Sequence, residues 1–233
     1  MKRLLFVLML CIPMLAMAQE KGEFYGSVDF GYRYMWRGFS NGDAPAAMPT
    51  IGYSSKGGFD VYAWGAFAFD DTYREINIGI SYSFSNFTLE LVDYFYPWPG
   101  SDFFNFSNHS TTHTVEAIAT YEPEAIPLHL AVGSIIFGDD KKEDGNNAYS
   151  TYAEVGYTHE FNEKNSLQAV AGAALNKSFY NDYSKDFNIV NLTAAYTRVF
   201  SFWKFEEFPV TASYTYNPYL EKSYFNVMFT VGL

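Results

Sequence analysis

The chain has 233 residues, a formal net charge of −11, 20% aromatic residues and a mean hydropathy of −0.12. That acidic surplus argues against nucleic acid as a partner, because phosphate backbones are bound through clustered Lys and Arg. Beyond the amino-terminal segment, no stretch approaches the roughly 18 unbroken apolar residues of a spanning helix, which excludes helical membrane insertion.

Residues 1–18 read as a secretory signal peptide. Lys2 and Arg3 precede an apolar run from Leu4 to Leu15, and Ala16-Met17-Ala18 supplies the small-x-small cleavage pattern. The mature chain, 19–233, is then expected to start at Gln19. Cys11 lies inside the removed segment and follows Leu10 rather than a small residue, so lipid attachment there is not expected. It is the chain's single cysteine, and no disulfide framework is available.

From Phe24 onward the chain alternates with a period of two. The first predicted strand, 23–37, places Phe24, Val28, Phe30, Tyr32, Tyr34 and Trp36 on one face, with Asp29, Arg33 and Arg37 on the other. A second strand near 48–55 and a third near 59–69 flank the tight turn Lys56-Gly57-Gly58. The fourth ends at Phe84 before Ser85-Asn86, and the fifth runs near 87–96 into an aromatic loop from Trp98 to His109. Strands six and seven meet around Glu122-Pro123, with the hydrophilic loop Gly138 to Asn147 beyond them. Strands eight and nine join at Asn162 to Asn165, and strand ten ends near the aromatic pair Phe202-Trp203. Strands eleven and twelve carry the alternation to Leu233.

Segments of about ten residues, alternately joined by short and long connections, fit an all-β fold: a single transmembrane antiparallel β-barrel of about 12 strands with up-and-down topology. A secreted β-sandwich also alternates, but its strands average five or six residues. A barrel tolerates this polar composition because only alternate residues meet lipid, while closure pairs every backbone group. The expected location is the outer membrane of a Gram-negative bacterium, with lipid around the wall and the barrel-assembly machinery as a partner during insertion.

Particular stretches suggest a family. Tyr32 to Ser40, followed by Pro45, resembles the opening signature of TorF-type porins, in which a tyrosine-rich strand runs into an Arg-Gly-x-Ser turn. Tyr94-Phe95-Tyr96-Pro97 is similar to that family's aromatic-proline strand end. Glu116, and Tyr152 with Glu154, sit where similar proteins carry inward carboxylates. The resemblance implies a barrel and a channel.

By parity, the lumen receives Asp29, Arg33 and Arg37 from strand one, Asp60 and Asp70 from strand three, Glu75, Glu90, Glu116 and Glu154. Arg33 facing glutamates would make a constriction whose field selects ions, and the carboxylate excess predicts a preference for cations and small neutral solutes. The same arginines, paired with Glu116, Glu154 or Glu75, would instead close a plugged barrel. These are pore-lining assignments; no cofactor or metal site is expected. His109 and His113 lack a third ligand, and Lys142 interrupts the cation-loop pattern from Asp139 to Gly145.

Two other functions have specific residues behind them. If Tyr121 pairs with Leu128, Ser134 falls diagonally beside His113 on the outward face, and Asp93 approaches from the other side. That is the constellation of a lipid-acyl hydrolase at the outer rim. Alternatively, Trp98, Phe103, Phe104 and Phe106 form an adhesive tip on a plugged barrel, against the simpler roles of folding over the mouth or joining an aromatic girdle.

Overall fold

A computed structural model describes residues 22–107, 110–202 and 205–232. The predicted signal peptide, His109, Trp203 and Leu233 lie outside the described residues. Strand β1 is Glu23–Gly31, and two short strands, β2 (Tyr34–Trp36) and β3 (Phe39–Asn41), follow it. Next come β4 (Ala46–Ser54), β5 (Phe59–Ala68), β6 (Arg74–Phe84), β7 (Phe87–Phe95) and β8 (His113–Tyr121). The chain continues through β9 (Leu128–Gly138), β10 (Thr151–Asn162) and β11 (Asn165–Ala174) to β12 (Asn188–Phe202), β13 (Phe205–Asn217) and β14 (Lys222–Gly232).

Twelve of these strands, β1 and β4 to β14, form one closed antiparallel barrel in which each strand pairs with its neighbours in the sequence and β1 pairs with β14 across the seam. Closure leaves no edge, so the ladder satisfies the wall's backbone groups without water. The period-two pattern then sorts side chains into an outside and an inside. Ile51, Ile78, Leu89, Leu91, Val132 and Val155 are exposed on the outer wall. Near the tight-turn end, rings pack against one another at tilted angles: Phe24 with Tyr53 at 5.0 Å between centroids, Phe87 with Tyr121 at 4.8 Å, and Phe208 with Phe229 at 5.5 Å.

The first predicted strand is shorter than its alternation suggests. β1 stops at Gly31, where the Tyr32 amide donates to the Val227 carbonyl at 2.9 Å and the Arg33 amide donates to the Asn226 side chain at 3.1 Å. With Asn226 supplying a side-chain acceptor, the backbone leaves the wall, and β2 and β3 form a separate hairpin. Its two central residues, Arg37 (φ +48°) and Gly38 (φ +88°), both have positive φ, the requirement of a type I′ hairpin turn. Gly38 is required twice over, since a Cβ there would strike the Val190 carbonyl of β12.

Asp70 is likewise not in the lumen. It lies just past β5 in an exposed loop, its carboxylate accepting the Thr72 amide at 3.1 Å and the Thr72 hydroxyl at 2.7 Å.

Candidate functional site: a hairpin across the lumen

Hydrophobic packing fixes the hairpin inside the barrel. Tyr34 packs in a cluster with Ala46, Met48 and Ala66, next to Trp64. Trp36 also reaches a second cluster of Tyr152, Ala174, Tyr180 and Val190. Its indole stacks on Phe179 at 5.9 Å and 6°, and on Tyr180 at 5.6 Å. Phe179 and Tyr180 belong to a short 3-10 turn, Phe179–Asn181, between β11 and β12. Thus a segment from the start of the chain and a loop from its second half meet over the lumen.

The loop that carries Tyr180 is anchored by buried Asp140. This carboxylate accepts the Ser150 amide at 2.7 Å, the Ser150 hydroxyl at 2.6 Å and the Tyr183 hydroxyl at 3.3 Å. Burial and the charge of Asp140 push the Tyr183 hydroxyl up to about 12.

At the hairpin tip, Arg37 Nη1 donates to Glu116 Oε1 at 2.6 Å and to the Tyr180 hydroxyl at 2.5 Å. Its Cζ lies 4.8 Å from the centre of the Trp36 ring and 4.6 Å from that of Tyr152. Glu116 Oε2 accepts the Tyr94 hydroxyl at 2.7 Å. Glu116 is fully buried, and a buried carboxylate is tolerable when paired and hydrogen-bonded, as here. Room for the pair comes from Gly133 on β9, whose missing side chain faces Glu116 and Arg37.

The two partners border different luminal spaces. One, of about 410 Å³, is bordered by Arg37, Asp29, Glu154, Gln168, Asn191 and Thr211. The other, of about 180 Å³, lies on the loop side and is bordered by Trp36, Tyr94, Tyr96, Glu116 and Asp139.

The remaining predicted luminal charges are distributed differently from the expected network. Asp29 accepts the Thr230 hydroxyl at 2.5 Å across the β1–β14 seam. Arg33 does not face a glutamate: it is 3.5 Å from Asp43 and lies over the rings of Tyr32 and Tyr224. Glu75 is buried and accepts from Tyr73 and from Asn77, the latter at 2.7 Å. Glu90 accepts the Tyr62 hydroxyl at 2.8 Å. Glu154 accepts the Tyr152 hydroxyl at 2.7 Å and lies 3.2 Å from His129 Nε2. His129 Nδ1 is 2.9 Å from Glu122, so this imidazole, which the sequence reading passed over, links two carboxylates. Its signal was its inward parity with Ala131 and Gly133 along β9.

The outer-rim triad is not assembled. Tyr121 pairs with Leu130 rather than Leu128, a bulge falls between Val115 and Glu116, and Ser134 stands opposite Ala117. Four residues along β8 from His113 is roughly 13 Å, and the Ser134 hydroxyl is engaged with Thr151 at 3.0 Å. Two of its three members do meet: His113 Nδ1 lies 2.9 Å from Asp93. Its Nε2 is 2.8 Å from the Phe103 carbonyl, and Phe95, Phe103 and Phe106 surround the ring. The aromatic loop is therefore clasped to the outward face of β8, while Phe104 stays 82% exposed.

No protein-family model matches the chain, and no curated protein matches it. Among solved structures, it is similar to the COG4313 outer membrane channel from Pseudomonas putida F1, at 12% identity and a TM-score of 0.49 over 91% of this chain and 96% of that one. It is also similar to the NanC porin, at 11% identity and a TM-score of 0.48 over 89% of this chain and 97% of that one. Likenesses at this level do not extend to function.

Proposed function

We propose that the protein is an outer-membrane channel for passive diffusion of small solutes or ions, cation-preferring and narrowed by its own luminal hairpin. The observation that carries this reading is the division of the closed barrel into an apolar outer wall and a polar interior with two cavities that meet at Arg37 and Glu116. An apolar wall around a closed ladder suits lipid, and a polar interior narrowed at the Arg37–Glu116 contact suits gated passage. The signal-peptide pattern of residues 1–18 and the resemblance of residues 32–40 and 94–97 to TorF-type porins support the same assignment. Asp29, Glu75, Glu90, Glu116 and Glu154 supply the negative field, and Arg37 rather than Arg33 sets the narrowest point.

Single-channel recording in planar bilayers under a salt gradient tests this. Small discrete steps with a cation-selective reversal potential are expected, enlarged in Arg37→Gly and less cation-selective in Glu116→Ala. Folded protein that stays silent in all three forms would overturn the channel reading and leave a barrel closed by its hairpin.

A further inference from the structure

The Arg37 guanidinium is held the way a bound ligand is held. Most of the groups around it belong to the barrel and its loops rather than to the hairpin: the Glu116 carboxylate from β8, the Tyr152 ring from β10 and the Tyr180 hydroxyl from the loop after β11. Tyr94 from β7 holds the second oxygen of Glu116 in place. We propose that this is a binding site for a planar organic cation of the guanidinium type, occupied in the resting molecule by Arg37 as an internal surrogate, and that such cations are the solutes the lumen favours. The inference rests on the channel reading above and names its solute class.

Three features bear on the choice of ligand. A guanidinium is weakly hydrated, matches a carboxylate in plane and stacks on aromatic faces. A small metal ion demands a shell of oxygens that one carboxylate and phenolic hydroxyls do not complete. Glu116, fully buried, needs a positive partner at all times, so Arg37 leaves readily where another cation replaces it.

Position supports exchange. Arg37 borders the larger cavity and Glu116 the smaller, so a cation crossing from one to the other passes between them. Glu154 stands on the first side and Asp139 on the second, giving a carboxylate on each approach. Arg37 itself sits at φ +48°, a left-handed conformation that glycine adopts without strain, so the side chain can be removed while the turn is kept.

The test removes the surrogate while keeping the turn. Arg37→Gly preserves the positive φ, and methylguanidinium, the end of an arginine side chain, is the probe. Two readouts are taken in parallel, block of single-channel current and the thermal unfolding midpoint of the refolded barrel. Arg37→Gly is expected to respond at a methylguanidinium concentration at least tenfold lower than the wild type, and Arg37→Gly with Glu116→Gln to lose that response. Equal responses of Arg37→Gly and wild type, or of the single and double variants, overturn the proposal. Silent bilayers with a Glu116-dependent rise in midpoint keep the cation site and remove the channel. Steady conductance with neither block nor midpoint shift removes the cation site and keeps the channel. Should Arg37→Gly not refold, Arg37→Asn, which also accepts the left-handed turn, carries the same comparison.

Discussion

Arg37 and Glu116 stand 79 positions apart in the chain and meet at 2.6 Å, joining the tip of an internal hairpin to the opposite wall of the barrel. Truncating one partner strands the other in a buried place. Glu116→Ala is expected to cost about 3–5 kcal/mol, and pairing it with Arg37→Gly to recover part of that loss because no buried charge remains. Urea unfolding in detergent, followed by tryptophan fluorescence, reads both; a double variant as unstable as the sum of the singles would contradict the pairing argument.

Gly133 makes the space that this pair occupies. A Cβ there would fall on Glu116 and lie 3.2 Å from Arg37 Nη2, whereas at Gly156 the nearest atom, His129 Cβ, is at an ordinary 3.4 Å. Gly133→Ala should therefore destabilise by about 1–3 kcal/mol and alter the conductance step, with Gly156→Ala near neutral. Matching losses at the two glycines would show that the constriction is not tightly packed.

The outer wall and the lumen predict opposite tolerance of charge. Leu91 faces outward and Ser213 borders the larger cavity. In lipid vesicles, Leu91→Arg should lower folding stability by about 2–4 kcal/mol, while Ser213→Arg folds and shifts ion selectivity instead. Equal folding of both would contradict a lipid-facing wall at Leu91.

His113 is the clasp of the aromatic loop. His113→Ala removes its contacts with Asp93 and Phe103, which should cost about 1–3 kcal/mol locally. Residues 98–107 should then become accessible to added protease in intact vesicles, with conductance unchanged, since the imidazole lies on the outward face. An altered conductance would place the loop over the mouth.

The loop between β5 and β6 should respond to acid. Hydrogen bonds from Thr72 hold the Asp70 carboxyl below its usual range, and Arg74 does the same for Asp71. A depressed carboxylate contributes above its unfolded value and loses that contribution as pH falls through the folded one. Amide exchange at Thr72 should be slowest near neutral pH, once corrected for intrinsic rates, and its protection should fade below about pH 4. Protection independent of pH would count against these contacts.

Most of the wall was legible because outward and luminal positions must alternate, and residues such as Ile76, Ile78 and Ile80 announce that alternation directly. The hairpin was not, because Tyr34 and Trp36 continue the same rhythm after the chain has left the wall at Tyr32. The one local sign was Arg37-Gly38, a pair whose glycine suits the positive φ of a tight hairpin turn. Parity placed Arg37 and Glu116 inside but could not say that Arg33 would turn to Asp43. Register across the six-residue connection after Tyr121 was equally hidden. There the chain is held by Glu122 donating to Asn86 and Leu128 to Ile126, contacts that no side-chain pattern encodes.

The chain leaves the wall at the seam, and the two bonds that mark its departure, from Tyr32 to Val227 and from Arg33 to Asn226, both run to β14. The strand that closes the barrel against β1 thus holds the root of the internal hairpin. Stopper and cylinder are finished in one event: a barrel that has not yet sealed has not fixed its stopper, and loss of β14 releases both at once.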